Sequence, residues 1–359
     1  MNNRLKSFLC SVAYSPAGDK FATYSGIKRL WADFTVRSRK RKMLAEAERR
    51  FCDGSPLGNL DDYKDALNKH WVTYSEYAYQ YEFYKKKEEE REEYVSRLRM
   101  AYFYWRYAPG SAKAVFRNKQ ILLKSFRKYV HRRWIYVPDA SLETFSQMVS
   151  EYDCIAKPCD GKLGKGIYKI HKDDLNNVEQ LYSQCYRDRY LLEQCIESCA
   201  ELKELHPQSL NTIRVVTVAG SGKACILSGV LRTGVGDSVV DNSHAGGISA
   251  QVNVETGIVE TDGANTFGER FITHPDSGIA FKGFRVPKWD AVTSSCREAA
   301  LQTDNPITGW DVVLDKDGNV ELVEANYGPD MDMMQTRYGA GAKKKIYALV
   351  KEYRGIDLE

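Results

Sequence analysis

The segment 310–326, WDVVLDKDGNVELVEAN, restricts the fold more than any other part of this chain. Apolar and polar residues alternate on both sides of Asp317-Gly318, the dipeptide most typical of a two-residue hairpin turn. The segment therefore predicts two antiparallel strands. A two-residue turn would pair the following residues across the hairpin: Lys316 with Asn319, Leu314 with Glu321, and Asp311 with Glu324.

Three oxygen-bearing side chains meet in this predicted hairpin. Directly opposed residues have Cβ atoms about 5 Å apart, so Asp311 and Glu324 would lie side by side. Asn326 follows Glu324 by two residues and shares its face of the strand. Like charges held this close are destabilising, whereas a hard divalent cation such as Mg²⁺ takes oxygen ligands of this kind. The segment thus predicts a magnesium site; the alternative is an exposed acidic hairpin without a ligand.

Length and composition limit the class of protein. The chain has 359 residues, enough for two or three domains, and no apolar run long enough to cross a membrane. We expect no signal peptide. The nine cysteines form no Cys-x-x-Cys pair, and no histidines cluster near them, which argues against a zinc site. These features predict a cytoplasmic protein with reduced thiols.

Charge divides the chain into two unlike parts. Residues 1–150 hold 29 Lys and Arg against 17 Asp and Glu, a net charge of +12, and the remainder holds 23 against 31, a net charge of −8. The basic part could face a membrane, a polyanion or a phosphorylated substrate. Its densest run is Arg37 to Lys42, which lacks interleaved aromatics. We therefore favour a solvated helix face there over a nucleic-acid site.

The composition and the residue pattern of the sequence change near residue 150. Before it, few Gly or Pro interrupt long stretches with helical composition, which predict helices over 61–87, 88–107 and 112–133. Tyr77, Tyr81 and Tyr84 recur at helical spacing, and we expect them to pack against the next domain rather than to form a ligand site. A short strand is predicted at 134–138.

After residue 150, short strands alternate with helices. Strands are predicted at 154–157, 166–170, 190–194, 212–219, 224–232, 248–253, 312–314 and 320–324, and helices at 175–184, 286–302 and 343–353. Turn dipeptides such as Ser221-Gly222 join neighbouring strands. The pattern predicts an α+β fold rich in antiparallel pairs.

A loop rich in glycine and lysine joins the first two of these strands. Its glycines free the backbone to bend over a ligand, so that N–H groups can point at phosphate oxygens, and its lysines add positive charge. The residues concerned are Gly161, Gly164, Gly166, Lys157, Lys162 and Lys165. The loop does not have the Walker pattern. An unliganded hairpin loop is the alternative.

Two further strands carry polar residues in unusual places. The strand at 190–194 is apolar but ends in Glu193, Gln194, Cys195 and Ile196, an edge that could hydrogen-bond an adenine through its backbone; many core strands look similar. Arg214 lies mid-strand among β-branched residues, where a guanidinium needs an anionic partner. A phosphate, a carboxylate or a structural bridge to a core Asp would satisfy it.

Taken in order, these pieces resemble the ATP-grasp superfamily. The spacing of Asp311, Glu324 and Asn326 is similar to the metal-binding pattern of D-alanine–D-alanine ligases. Within the superfamily, residues 70–340 most resemble the sugar-transfer-associated ATP-grasp proteins of bacterial polysaccharide biosynthesis. The matching pieces are Asn211-Thr-Ile-Arg214, Asp241-Asn242, His274-Pro-Asp-Ser-Gly278, Pro287-x-Trp289 and Gly309-Trp-Asp311.

The resemblance implies an ATP-grasp fold of two α+β subdomains that grip ATP, at 111–200 and 201–359, behind a helical region at 1–110. It implies that Lys157 contacts the ATP phosphates, that 161–166 is the loop closing over them, and that 193–196 is the adenine-binding edge. Asp311, Glu324 and Asn326 would hold magnesium, with two Mg²⁺ ions bound. Arg214 is the candidate catalytic arginine beside Lys157. Lys119 stands where the family has Asp-Lys, and Glu197, Glu201 and Glu204 are alternatives for the ribose carboxylate.

The chemistry implied by the resemblance is activation of a carboxylate by ATP, followed by attack of an amine to form an amide. The predicted substrates are a carboxylate and an amine, one of them a sugar or sugar acid of a cell-surface polysaccharide. A cytoplasmic protein, free or peripheral at the inner membrane surface beside glycan assembly machinery, fits this role, and no nucleic-acid partner is expected. Two alternatives stay open: a sugar kinase, and a non-catalytic scaffold of a glycosyltransferase complex.

Overall fold

The protein folds into a helical N-terminal region and two antiparallel sheets. The structure, a computed structural model, describes residues 26–54, 57–160, 166–173, 177–238, 241, 246–266 and 269–358. Its helices are α1 (Gly26–Cys52), α2 (Leu60–His70), α3 (Glu88–Arg91), α4 (Arg97–Tyr107), α5 (Gly110–Arg117), α6 (Lys119–Ser125), α7 (Leu142–Glu151), α8 (Val178–Arg187), α9 (Ala200–Leu205), α10 (Trp289–Ala300), α11 (Asp332–Tyr338) and α12 (Lys343–Arg354). In these ranges, every helix is too short or too polar to cross a membrane.

Four short strands form the smaller sheet. They are β1 (Trp134–Tyr136), β2 (Cys154–Pro158), β3 (Tyr168–Ile170) and β4 (Tyr190–Gln194), in the spatial order β1-β4-β2-β3 with every neighbour antiparallel. Phe145 of α7 and Cys185 of α8 pack against apolar residues of these strands, such as Leu192. Burial of this apolar face holds α7 and α8 on the sheet.

Seven strands form the larger sheet. They are β5 (Ile213–Gly220), β6 (Lys223–Thr233), β7 (Ile248–Val252), β8 (Gly263–Ala264), β9 (Arg270–Phe271), β10 (Ile307–Leu314) and β11 (Val320–Asn326), in the order β11-β10-β5-β6-β7-β8-β9. One face packs on α6 and α10 through residues such as Trp310 and Val215. The other face packs on α4, α11 and α12 through Val216 and Val218.

The hairpin between β10 and β11 differs from the predicted one, yet it brings the predicted carboxylates together. Asp315 pairs with Asn319 around a loop of three residues, and Gly318 has a φ of +76°, as in a type I turn followed by a bulge. Leu314 therefore pairs with Val320, so the predicted pairings of Leu314 with Glu321 and of Lys316 with Asn319 are wrong. A bulge between Asp311 and Val312 shifts the register back. Asp311 faces Glu324, as predicted.

The N-terminal region is more broken than its composition predicts. The helix predicted over 61–87 ends at His70, where Trp71 adopts a left-handed conformation with a φ of +62°. A π-helical turn at Glu76–Gln80 follows. The helix predicted over 112–133 is interrupted at Asn118, because the Asn118 side chain caps α6 by accepting from the Ile121 amide at 2.9 Å.

The aromatic residues of this region pack mainly against one another, whereas the sequence predicted packing against the next domain. Tyr77 and Tyr81 are fully enclosed in a cluster that includes Tyr63 and Phe83. Gln335 of α11 donates to the hydroxyl of Tyr81 at 3.0 Å, so the cluster also contacts the C-terminal part of the chain. The packing explains why so many tyrosines are found in one short segment.

The basic run at 37–42 lies on the surface, and the cysteines of the described residues are thiols. In the run 37–42 on α1, four basic side chains are exposed, which confirms a solvated helix face: Arg37, Arg39, Arg41 and Lys42. Eight cysteines fall within the described residues, and all eight are free thiols.

Candidate functional site

A row of charged side chains crosses four strands of the larger sheet. Arg214 on β5 and Asp311 on β10 are direct cross-strand partners, and the guanidinium binds both carboxylate oxygens, with Nη2 donating to Oδ2 at 2.7 Å. Arg232 on β6 lies 3.4 Å from the same oxygen. Glu324 on β11 is the partner of Asp311 on its other side. The anionic partner that Arg214 requires is therefore the carboxylate of Asp311.

The two carboxylates of this row differ in their ionisation. Burial disfavours the charged form of Asp311, but Arg214 and Arg232 together outweigh it and hold its pKa below the ordinary value. Glu324 is solvent-exposed, yet desolvation by the surrounding protein raises its pKa, and the neighbouring charge of Asp311 raises it further. Asp311 is thus compensated by arginines, whereas Glu324 is a carboxylate in need of a cation.

The donor atoms of the predicted metal set fit Mg²⁺ in their chemistry. Neither Glu324 nor the Asn326 side chain forms a hydrogen bond or ion pair with any residue that the structure describes. Asp311 would have to share its oxygens between an ion and two arginines. No group of three His, Cys, Asp or Glu side chains capable of holding a metal occurs in the described ranges. The predicted set does not belong to such a group, because it has only two carboxylates and takes its third oxygen ligand from the amide of Asn326.

Two lysines face this row from the smaller sheet and from α6. Lys157, on β2, donates to the carboxylate of Glu193 on β4 at 3.1 Å. Lys119 is the first residue of α6, and its Nζ donates to the carbonyl oxygen of Pro158 at 3.2 Å. Burial lowers the pKa of Lys119, and the charge of Lys157 lowers it further, while Glu324 opposes the shift. The structure therefore brings Lys119, Lys157 and Glu324 together.

A buried ion-pair chain joins the two sheets beneath these lysines. Arg132 precedes β1, and its Nε donates to Glu193 of the smaller sheet at 2.6 Å. Its Nη1 donates to Glu321 of the larger sheet and to the carbonyl oxygen of Leu322, the latter at 2.7 Å. Glu321 also accepts from the His131 amide at 2.7 Å. Sequence reasoning missed Arg132, because its two partners lie 61 and 189 residues further along the chain.

The predicted adenine edge is only partly available to a ligand. The carboxylate of Glu193 is committed to Arg132 and Lys157. The backbone amides of Gln194 and Cys195 donate to Arg133 and Asp153, each at 2.8 Å. The amide of Ile196 donates to no described residue, and its side chain packs against the main core. Ile196 is thus the one position of this edge with a free backbone donor among the residues that the structure describes.

Only the end of the predicted glycine-rich loop is described. Gly161, Lys162, Gly164 and Lys165 lie outside the described residues. Gly166 has a φ of +74°, and a Cβ there would approach Pro158 at 3.0 Å and the Tyr190 hydroxyl at 3.1 Å. Tyr190 donates to the Gly166 carbonyl oxygen at 2.8 Å. The close approach and the positive φ both require glycine at this position.

Arg232 of the charged row has a second partner, Asp241. Arg232 was missed by sequence reasoning, although it lies in an apolar strand just as Arg214 does, and the same signal could have found it. Asp241, part of the Asp241-Asn242 piece, lies 3.5 Å from Arg232 and accepts from the amide of Thr212 at 2.6 Å. Arg232 thus pairs with both Asp241 and Asp311, through different nitrogens of its guanidinium.

These features, two sheets facing each other across lysines and a carboxylate row, define an ATP-grasp protein. The family model of sugar-transfer associated ATP-grasp proteins matches residues 98–351, and the chain belongs to this family. The match covers the two sheets with α4 to α11 and most of α12. A search of curated proteins gives no match.

Several solved structures are similar to this chain at low sequence identity. The ATP-grasp ligase PsnB complexed with a minimal precursor is 15% identical, with 64% of this chain and 59% of that chain covered and a TM-score of 0.41. N5-carboxyaminoimidazole synthetase from Staphylococcus aureus complexed with ADP is 8% identical, with 67% and 53% covered and a TM-score of 0.41. The biotin carboxylase domain of 2-oxoglutarate carboxylase from Hydrogenobacter thermophilus, complexed with MgADP, ADP and bicarbonate, is 12% identical, with 70% and 48% covered and a TM-score of 0.43. Less than two thirds of the other chain is covered in each of these three alignments, although another PsnB structure, complexed with minimal precursor, Mg and ADP, is covered to 76%.

Proposed function

We propose that this protein is an ATP-dependent ligase that activates a carboxylate and joins it to an amine. The observation that carries the proposal is the state of Glu324. Its carboxylate has no hydrogen-bond or ion-pair partner among the described residues, and it lies within electrostatic reach of Asp311, Lys119 and Lys157. A carboxylate held beside another carboxylate and two lysines suits a site that closes on a cation and phosphates.

Each sheet has a separate part in holding ATP under this proposal. The amide of Ile196 binds the adenine edge. Lys157 and Lys119 bind the phosphates as point charges, and the backbone that bends at Gly166 covers them. Glu193 keeps Lys157 in place, since its carboxylate accepts from Lys157 and from Arg132 together.

The larger sheet supplies the metal-binding residues and the arginines that act at the γ-phosphate of ATP. Asp311, Glu324 and Asn326 would hold Mg²⁺, which neutralises phosphate charge when bound. Arg214 and Arg232 keep Asp311 ionised and present guanidinium groups on the same face of the sheet. These arginines stabilise the negative charge that spreads over the transferring phosphoryl group.

The reaction proceeds in two steps. The oxygen of the substrate carboxylate attacks the γ-phosphorus of ATP, the bond to the β–γ bridging oxygen breaks, and ADP leaves. The resulting acylphosphate is attacked at its acyl carbon by a neutral amine, phosphate leaves, and the amine loses one proton as the amide forms. Exclusion of water from the closed site prevents hydrolysis of the acylphosphate.

The substrates proposed are a sugar acid and an amine of cell-surface polysaccharide synthesis. Membership in the sugar-transfer associated ATP-grasp family supports this choice. The net charge of +12 on the first 150 residues also suits an acidic glycan near the site.

Product release with trapping of the intermediate tests the proposal. The protein with ATP, Mg²⁺ and a uronic acid is expected to release ADP only when the acid is present, and hydroxylamine is expected to convert the acylphosphate to a hydroxamate. Glu324→Gln should abolish both signals, whereas the control Arg187→Gln, on the exposed side of α8, should retain them. ADP release without hydroxamate would point to a kinase, and no nucleotide turnover with any acid would point to a scaffold.

A further inference from the structure

A cavity of about 160 Å³ lies in the helical region, apart from the charged row. Its floor is one face of α4, where side chains recur at positions i, i+3, i+4, i+7 and i+8: Arg99, Tyr102, Phe103, Arg106 and Tyr107. Trp71, Tyr347 of α12 and the segment at Asp357 close its sides. Most of the lining is therefore aromatic side chains and guanidinium groups.

Cations in this cavity and beside it lie on aromatic faces; Arg99 and Arg106 line the cavity, and Lys40 lies outside the lining. The guanidinium carbon of Arg99 lies 5.0 Å from the ring centre of Trp71, and the ammonium of Lys40 lies 4.9 Å from the same ring. Arg106 lies 5.0 Å from the ring centre of Tyr107. Tyr102 meets Trp71 edge to face at 5.7 Å. These contacts fix the positions of rings and charges before any ligand arrives.

Positive charge accumulates here without a matching carboxylate. Lys40, Arg99 and Arg106 form no ion pair with any residue in the described ranges. Lys40 and Arg99 donate to carbonyl oxygens at the end of α2, of Asn68 at 3.1 Å and of His70 at 3.4 Å. Burial, and then the charge of Arg99, lower the pKa of Lys40 to about 8.

Two carboxylates also lie at the cavity, and each has a partner. Asp357 lines the cavity and lies 2.8 Å from Lys351, and Asp33 accepts a hydrogen bond from Tyr102, which lines the cavity too. The adjacent helix α1 adds nine Lys and Arg against three Asp and Glu. The potential around the cavity is therefore positive, and it favours anions.

We propose that this cavity binds a uronic acid unit of an acidic polysaccharide. A guanidinium fork matches a carboxylate, and the ring surface of the lining that Lys40, Arg99 and Arg106 leave uncovered can contact the apolar face of a hexose. The basic face of α1 would then attract the neighbouring acidic units of the same chain. The rings and charges are held in place by contacts within the protein, so the site is preformed.

A glycan fits these observations better than a membrane surface. The aromatic side chains line the inside of the cavity, whereas membrane anchors project apolar groups outward. Leu30, with 69% of its surface exposed, is the only large apolar side chain on α1 that is exposed among the residues described. One such residue on a 27-residue helix makes a weak membrane anchor.

The same helix connects the cavity to the charged row. Tyr104 of α4 donates to the carbonyl oxygen of Pro329 at 2.8 Å, and a Cβ at Gly328 would approach the Tyr104 ring at 2.9 Å. These residues directly follow Asn326 at the end of β11. A polysaccharide held in the cavity would thus contact a helix that also packs on the segment after β11, and its role as an acceptor rests on the proposed function; binding itself does not.

Titration calorimetry of the full chain with tetragalacturonate tests the proposal, with maltotetraose as the neutral ligand of equal length. We expect binding of tetragalacturonate only. Arg106→Gln should weaken it about tenfold, the loss of one charge-assisted contact, and Arg106→Lys should weaken it less. The control Arg187→Gln, exposed on α8, should bind as the unmodified protein does. ATP binding should be unchanged in every variant.

Three results would overturn the proposal. Equal binding of maltotetraose would show that the cations of the cavity do not determine binding. Unchanged tetragalacturonate binding by both Arg106 variants would place the site elsewhere. Sedimentation with phosphatidylglycerol vesicles, without binding of tetragalacturonate, would identify a membrane surface instead. None of these outcomes depends on ADP release, so they are separate from failure of the proposed ligase reaction.

Discussion

Arg214 and Asp311 are direct partners on neighbouring strands, and the guanidinium binds both oxygens of the carboxylate. Both groups are largely enclosed by protein, with 18% and 7% of their side-chain surfaces exposed. A buried pair of this kind leaves a strongly unfavourable charge behind when one member is removed. The ionisation of Asp311 therefore depends on Arg214.

Arg214→Gln should destabilise the protein in a manner that depends on pH. Because the folded-state pKa of Asp311 is lowered, its contribution to the free energy of unfolding is present above the ordinary pKa and is lost as pH falls through the lowered value. The difference between variant and unmodified protein should shrink as pH falls from about 6 to about 2. Urea unfolding across this range measures it, with Arg187→Gln as control. A difference that stays constant would contradict the assignment.

Glu324→Gln should have the opposite effect on the stability of the free protein. The folded-state pKa of Glu324 is raised, so its ionised form opposes folding at neutral pH, and this cost appears as pH rises from the ordinary pKa through the raised one. Because the Glu324 side chain is exposed to solvent, which screens this cost, the variant should melt only slightly higher, by about 1 °C, without ligand. It should also lose the stabilisation that ATP with Mg²⁺ gives the unmodified protein. Thermal unfolding by calorimetry measures both, and a lower melting temperature would refute the first expectation.

Arg132→Gln should be the most damaging of the single substitutions. It leaves the carboxylates of Glu193 and Glu321 buried without their shared cation, at a cost of about 3–5 kcal/mol in the free energy of unfolding. Lys128→Gln breaks an exposed ion pair with Glu298 and serves as the control, with little expected change. Urea unfolding monitored by circular dichroism separates the two. Equal stabilities would show that Arg132 is not required.

Gly318→Ala should weaken the hairpin that carries the carboxylates. Gly318 has a φ of +76°, and a Cβ there would displace the flexible ammonium end of Lys288, which donates to the Gly318 carbonyl oxygen at 2.9 Å, and so would weaken that hydrogen bond. Gly222 has a φ of +71° and no atom near its missing Cβ, so Gly222→Ala isolates the backbone strain. Each variant should lose about 1 kcal/mol from the conformation alone, and Gly318→Ala should lose more. A smaller loss at Gly318 than at Gly222, by urea unfolding, would contradict this.

The sequence predicted the opposition of Asp311 and Glu324 through two errors that cancel. The assumed two-residue turn is a three-residue loop, which moves the register by one, and a bulge beside Asp311 moves it back. Asp-Gly indicates a tight turn but does not fix its length, and a bulge leaves little trace in an alternating pattern. Most strand positions were predicted well, because alternation and turn residues are local signals.

Partners that lie far apart in the sequence could not be predicted from such local signals. Arg214 could be recognised as a residue in need of an anion, but nothing in the order of residues selects Asp311 over a phosphate. Arg132 has no local pattern at all, since its role comes from two carboxylates that meet only after both sheets have formed. The break at Trp71 was missed as well, because aromatic packing overrides the helical composition of the segment.

Arg132 also limits how the two sheets can separate. A single guanidinium is bound to a carboxylate of each sheet, so pulling the sheets apart at that point would break its contact with either Glu193 or Glu321 and leave a buried charge with fewer partners. The residue therefore anchors the two sheets to each other at this point.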